Sequence, residues 1–586
     1  MKKIILIFSI LFVTTTLFAQ VTKPKDTLKT ETINVTKSFK PTVSDAFKLN
    51  ENPSVQEDLN LVKEKIQYEI ESVPVASTFA PTKGKAQVLD KPKKEIIYDS
   101  FLSVGYGNFS APLVESFLKF KAERNNYFNI YGFYNRSKNG VSNSLIQDEF
   151  SKTNFQVAYY HQNQFYDWHA KATFENKKIN WYGIQFDPIL MPFTATFIEN
   201  LKPEQKYQSF GFDGKIDFKE FFLEDVKTGF SYFKDDFNSN EFQLFAKTGL
   251  SFPISTEKIK VEAEVDLLKG KFEKEYFSVN DLEHSFLKFS LKPSFEVLRE
   301  NFQLNLGVNL TYSFDLEHRE SKLYSYPNVY SSLKLMDNLL ITFAGITGQL
   351  KTNSYKNRVA ENPFLSPTLV INETDQAYNA FFGIKGNLSK SMHYQLKTSY
   401  IKEKNKPMFL LNQTKTNGIL PVNYGYEAGN SFRLVYDDVT TFEVEGELSL
   451  NLTDEFSLTT NTVLSNYNTT FYTDAFNLPK FKTAINTAYQ TQNWFVNSSL
   501  YFVGETKDIE IPYGIYFSLV PYNPSDFIIK NKAYVDINVN AGYHFSNRLT
   551  TFVKLNNVLN SNHKPFAHYK VQGLQAIAGI TYKFDL

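Results

Sequence analysis

Histidine is the side chain best suited to activating water or holding a metal, and the chain has eight: His161, His169, His284, His318, His393, His544, His563 and His568. None falls in an H-E-x-x-H pattern or in an i, i+2 pair that a strand would place on one face. No Ser/His or Asp/His signature accompanies them, so the sequence reads as no enzyme and asks for no cofactor. Cysteine is absent, which removes disulfides and thiolate metal sites. With 7 Arg among 63 basic residues there are few bidentate clamps for phosphate. The remaining candidates are carboxylates in alternating runs, Glu262, Glu264 and Asp266, then Glu443, Glu445 and Glu447. On the wall of a wet lumen they would either favour cationic solutes or serve as ordinary lumen residues balanced by lysines.

The elements that carry those carboxylates read as strands. Glu262, Glu264 and Asp266 alternate with Val261, Ala263, Val265 and Leu267, and Glu443, Glu445 and Glu447 with Phe442, Val444, Gly446 and Leu448. Successive strand residues face opposite sides, so each run has one oily and one wet face. Alternation begins at Ile96 and persists to the C-terminus, predicting strands near 98–107, 114–122, 127–136, 151–161, 166–175, 206–218, 224–234, 240–252, 258–268, 283–297 and 301–314. The series continues near 325–336, 338–350, 376–388, 393–402, 431–452, 456–467, 480–490, 494–503, 532–545, 549–558 and 571–585. Connections after even-numbered strands are tight. Many after odd ones are long, notably 176–205, 351–375, 403–430 and 504–531. That asymmetry predicts an all-β fold, a 22-stranded antiparallel transmembrane β-barrel over 96–586, with both ends on the short-turn, periplasmic side. Carboxylates facing lipid would each cost up to roughly 2 kcal/mol, so the apolar partners face outward. Trp168, Trp181 and Trp494 read as an interfacial girdle.

Ahead of the barrel, Lys2 and Lys3, the apolar run Ile4 to Val13 and small Ala19 read as a signal peptide, 1–19, cleaved near Ala19. Residues 20–95 carry six prolines, one glycine (Gly84) and no arginine, and read as a mostly extended periplasmic tether. A formal net charge of +1 gives no footprint for nucleic acid. The chain is 16% aromatic yet polar on average, as expected of strands with one wet face. The expected surroundings are outer-membrane lipids and the bacterial outer membrane.

The last strand places Gly579, Tyr582 and Phe584 at G-x-x-Φ-x-Φ spacing, which resembles the C-terminal signal read by the barrel-insertion machinery. Together with Tyr534 to Phe545 and Lys554-Leu555-Asn556-Asn557-Val558-Leu559-Asn560, this ending resembles that of TonB-dependent receptors. The resemblance implies 22 strands and solute uptake across the outer membrane. Residues 20–95 depart from it, being too short and too poor in Gly and Arg for the family's plug. Thr32, Ile33, Asn34 and Val35 are loosely similar to its energy-coupling box, but a motif this short reads first as generic extended peptide. Two functions stay open: an uptake barrel, or a structural subunit of an outer-membrane assembly or secretion machine that docks a periplasmic or outer-membrane protein through residues 20–95. A ring this wide needs occlusion, whether by inward-folded outer loops, by the tether or by a partner.

Overall fold

A computed structural model places residues 98–123, 125–184, 193–513 and 523–586. The leader at 1–19, the tether at 20–95 and the segment Thr32 to Val35 lie outside them. Alternation produces the strands β1 (Ser100–Gly107), β2 (Ala111–Glu123), β3 (Asn126–Lys138), β4 (Glu149–Gln162), β5 (Tyr166–Asn180), β6 (Glu204–Phe218), β7 (Leu223–Asp235) and β8 (Asn240–Ile254). They are followed by β9 (Glu257–Phe272), β10 (Leu282–Leu298), β11 (Phe302–Asp315), β12 (Glu320–Met336), β13 (Leu340–Lys351), β14 (Thr374–Ser389), β15 (Met392–Leu411) and β16 (Phe432–Asn451). The remainder are β17 (Phe456–Thr469), β18 (Phe481–Gln490), β19 (Trp494–Val503), β20 (Thr506–Ile509), β21 (Ile528–Asn531), β22 (Tyr534–His544), β23 (Leu549–Asn556) and β24 (Gln575–Phe584). Two short helices, α1 (Ala195–Asn200) and α2 (Tyr355–Glu361), sit in the β5–β6 and β13–β14 connections.

Each strand pairs antiparallel with the next, β19 pairs with β22, and β24 returns to β1, giving a closed sheet of 22 strands. β20 and β21 form a separate hairpin in the β19–β22 connection. Closure satisfies the backbone: an unpaired N–H or C=O in hydrocarbon costs several kcal/mol, and a ring has no edge. At the seam, Ser100 lies opposite Phe584 and Gly107 opposite Ile577. Leu102, Val104, Ile580 and Tyr582 share the outer face. Ser103 and Thr581 face the lumen, their hydroxyls 2.9 Å apart. Gly579 also faces inward, where a Cβ would meet the Phe552 ring at 2.4 Å and Val104 O at 2.4 Å. Only a hydrogen fits beneath that ring. The proposed insertion residues thus divide, with Tyr582 and Phe584 toward lipid and Gly579 toward the lumen.

The predicted strands are all present, but several run on at the long-loop end. β15 continues to Leu411 where the sequence suggested 402, and β5 to Asn180 instead of 175. Beyond a bulge between Glu403 and Lys406, β15 pairs from Lys406 opposite Asp437 to Leu411 opposite Phe432. There Met408, Leu410 and Val435 are covered by β20, Phe476 and their neighbours, so the oily/wet alternation no longer marks a lipid face.

Asp at both Tyr582 and Phe584 would put two carboxylates at the outward side of the seam strand, at up to roughly 2 kcal/mol each. The double variant is expected to lose the heat-dependent gel shift of a folded barrel. A normal shift would show that this strand is not needed for closure.

Candidate functional site

The long loops meet over the lumen and define the candidate site. Trp181 follows β5, Asn430 precedes β16, and Tyr569 lies between β23 and β24. In a ring of 22 the first two connections are ten strands apart, which is nearly a diameter, and the third falls about midway between them. Yet Asn430 Nδ2 donates to Trp181 O at 2.8 Å and to Gly425 O at 2.8 Å, and Tyr569 donates its hydroxyl to Asn430 O. Loops from three sides of the rim therefore touch, which requires them to span the outer mouth.

Aromatic packing surrounds this junction. Trp181 meets Tyr426 edge-on at 5.4 Å, Tyr569 stacks on Phe364 at 3.5 Å, and Tyr182 meets Tyr569 edge-on at 5.0 Å. Trp181, Tyr355, Phe432 and Leu365 are fully buried. Gly183 is required here, because a Cβ would lie 2.6 Å from the Tyr569 ring. The expectation that Trp181 belongs to the interfacial girdle is corrected. Trp494 is 56% exposed on the outer wall, whereas Trp181 is 0% exposed inside the cap. β5 carries it past the membrane before the chain turns inward, a distinction that residue type alone does not encode.

Polar anchors hold the loops in register. Glu241 of β8 accepts from Tyr355 N at 2.6 Å and Lys356 N at 3.2 Å, capping the first turn of α2 with negative charge. Tyr355 donates its hydroxyl to Asp235 Oδ2 at 2.8 Å. Glu427, 2% exposed, pairs with Lys415 at 2.7 Å and Lys274 at 3.1 Å. Burial pushes the Glu427 carboxyl up, and the two ammonium groups more than reverse this, holding it below the usual range. Asp508 of β20 is fully buried, accepting from Leu411 N at 2.9 Å and Asn477 Nδ2 at 2.7 Å. Burial outweighs those bonds and pushes its carboxyl up to about 6.

The six carboxylates singled out in the sequence lie on the lumen face, in two groups. Glu264 is 3.0 Å from Lys247 and 3.6 Å from Lys292, and Asp266 is 3.5 Å from Lys288. Glu262 stands opposite Lys292 in the strand register. Glu445 is 3.7 Å from Lys397. Glu443 accepts from Ser465 Oγ at 3.2 Å, and Glu447 from Asn461 Nδ2 at 3.1 Å. Lysines and polar donors thus offset the acidic wall, so these carboxylates form no concentrated anionic lining. Among the described residues no group of three or more His, Asp or Glu side chains could hold a metal ion. Sequence reasoning did not find Asn430 or Tyr569. The available signal was that β16 starts at 432 and needs a partner strand running to 411, which would have shortened the loop before Asn430 and brought it near the rim.

No protein-family model matches the sequence, and no curated protein matches it. Solved structures do share its fold. The FpvAI–pyocin S2 complex contains a chain with TM-score 0.59 and 11% identity, the match covering 84% of this chain and 74% of that one. The siderophore receptor PiuA from Acinetobacter baumannii has TM-score 0.57 and 10% identity, covering 84% and 82%. The copper transporter OprC has TM-score 0.55 and 12% identity, covering 84% and 82%. The 22-stranded barrel expected from the resemblance to TonB-dependent receptors is the fold this chain shares with these structures.

Replacing Tyr569 by Phe leaves Asn430 O without its donor in a buried site, a loss of about 1–3 kcal/mol from cap closure. Single-channel recording should then show more frequent opening than in the parent protein, and equal open probability would remove Tyr569 from the closure. Asp508 adds a pH dependence. Burial holds its folded pKa above the usual carboxylate value of 3.8, so the folded hairpin holds the proton more tightly. That stabilisation is complete below about pH 4 and is lost as pH rises through 6, a change of about 3 kcal/mol. Protease nicking of loop 504–533 should therefore be slower at pH 5 than at pH 7.5 after correction for protease activity. Asp508→Asn should flatten the difference.

Proposed function

We propose that the chain is a bacterial outer-membrane uptake barrel whose inward-folded outer loops form a closed gate. The observation that carries this reading is the junction at Asn430, where loops from opposite sides of the rim bond to one another and cover the mouth. A plain diffusion pore would keep its mouth open, whereas a gate must close between solutes. The ion-paired lumen wall behind the cap would pass a solute without trapping it by one sign of charge. The structural neighbours include siderophore receptors and a copper transporter, which supports uptake as the class of function. In this reading residues 1–19 direct export and are removed near Ala19, and Thr32 to Val35 or the rest of 20–95 meets a periplasmic partner. No enzymatic step is needed.

Accumulation of labelled ferric chelates and copper should be compared in cells with and without the protein, and after complementation. Loss of one solute class on deletion, restored by the parent gene, is the expected result. Unchanged accumulation of every solute, with loss of a stoichiometric envelope complex recovered in gentle detergent, would instead establish a structural subunit.

A further inference from the structure

The connection 352–373 leaves the ring between β13 and β14 and crosses to β6 and β7, seven and six strands away from β13. There Tyr355 donates its hydroxyl to Asp235 Oδ2 at 2.8 Å, and Tyr207 donates its own to Pro363 O at 2.9 Å. On the return Phe364 stacks on Tyr569, and Ser366 N donates to Phe432 O at 2.9 Å at the start of β16. A loop with contacts on both sides of the rim spans the mouth only while its base leans inward.

That base is a short arm. β13 and β14 shift register between Thr347 and Gln349, and β14 and β15 between Gln376 and Tyr378. Beyond those shifts, toward the loop, Gln349, Leu350 and Lys351 pair with Gln376, Asp375 and Thr374. A register shift bends a strand, so the arm can depart from the line of the wall. Lys288 of β10, 7% exposed, ties it back. Its Nζ donates to Thr352 Oγ1 and to Leu350 O at 3.4 Å, and lies 3.5 Å from Asp266 Oδ2 and 3.7 Å from Glu373 Oε1. Thr352 in turn donates to Asp266 Oδ2 at 2.7 Å. One wall ammonium therefore holds the loop at its first residue and at its last.

The charges around it make that hold conditional. Asp266 belongs to the wall and Glu373 to the loop, and both carboxylates share the one ammonium. The neighbouring lysines are engaged elsewhere, Lys247 and Lys292 with Glu264 and Lys351 with Glu403. Ser313 Oγ donates to Glu373 Oε2 at 2.7 Å, but Glu373 Oε1 has no hydrogen-bond donor among the described residues. Without the ammonium two like charges would face each other in a poorly hydrated place. Asp266 is fixed in a strand paired on both sides, so the loop end is the part that yields.

We propose that Lys288 is the latch of the gate, the positioning residue that keeps loop 352–373 across the mouth by holding Glu373 beside Asp266. Loss of its charge drives the loop base away from β10. This role rests on the gate reading.

The test uses the full chain, with single-channel recording for opening and trypsin cleavage after Lys356 or Arg358 for release of the loop. Lys288→Met should raise both open probability and cleavage rate by about tenfold or more. Adding Glu373→Gln to Lys288→Met removes the repulsion and should return both toward the parent values, whereas lost packing at Lys288 would leave the double variant as open as the single one. A heat-dependent gel shift equal to the parent's controls for folding. Parent-like behaviour of Lys288→Met in both assays, or no rescue by Glu373→Gln, overturns the latch alone. Large steady conductance from the parent overturns the gate reading, and the cleavage assay then still decides whether Lys288 holds the loop.

Discussion

The constraint on which the molecule depends is that hydrocarbon offers no hydrogen-bond partner to a peptide group. The sheet must therefore close, and it does so where Ser100–Gly107 meets Gln575–Phe584. Everything else follows from that ring. Closure fixes which face of each strand is outside, and the outside must be apolar. The polar half of every alternation is therefore committed to the lumen, including the carboxylates of β9 and β16 and the lysines opposite them. It also sets a width that the wall's own side chains do not fill.

The width is dealt with at the long-loop end by a second kind of packing. The wall is held by backbone pairing, whereas the cap is held by aromatic contacts and by a few buried polar groups that act across the ring. Asn430 and Tyr569 join loops that start far apart on the rim. Glu427 and Glu241 fix other loops by accepting from lysines or from a helix N-terminus. Breaking one partner of such a buried contact costs more than the contact contributes, because the remaining group stays desolvated.

The sequence by itself determined the wall. Period-two alternation and tight connections after even strands are local properties, and each survives in the structure because the bilayer imposes one rule on every strand. The same logic placed Glu262, Glu264, Asp266, Glu443, Glu445 and Glu447 on the lumen face. It lost force where strands leave the membrane. β15 runs to Leu411 under a covering hairpin, and there neither face meets lipid, so no alternation marks the strand.

Only the tertiary structure decided how the long loops meet across the rim. Trp181 has the residue type of a girdle tryptophan, and its burial depends on Tyr426 and Asn430, more than two hundred residues away in the chain. The lumen carboxylates could be counted from the sequence, but their balance is set by lysines on neighbouring strands, whose positions follow from register. The physical reason is range. Facing and hydropathy are fixed within a few residues of chain, whereas burial, pairing and cavities depend on contacts between loops that meet only once the ring has closed.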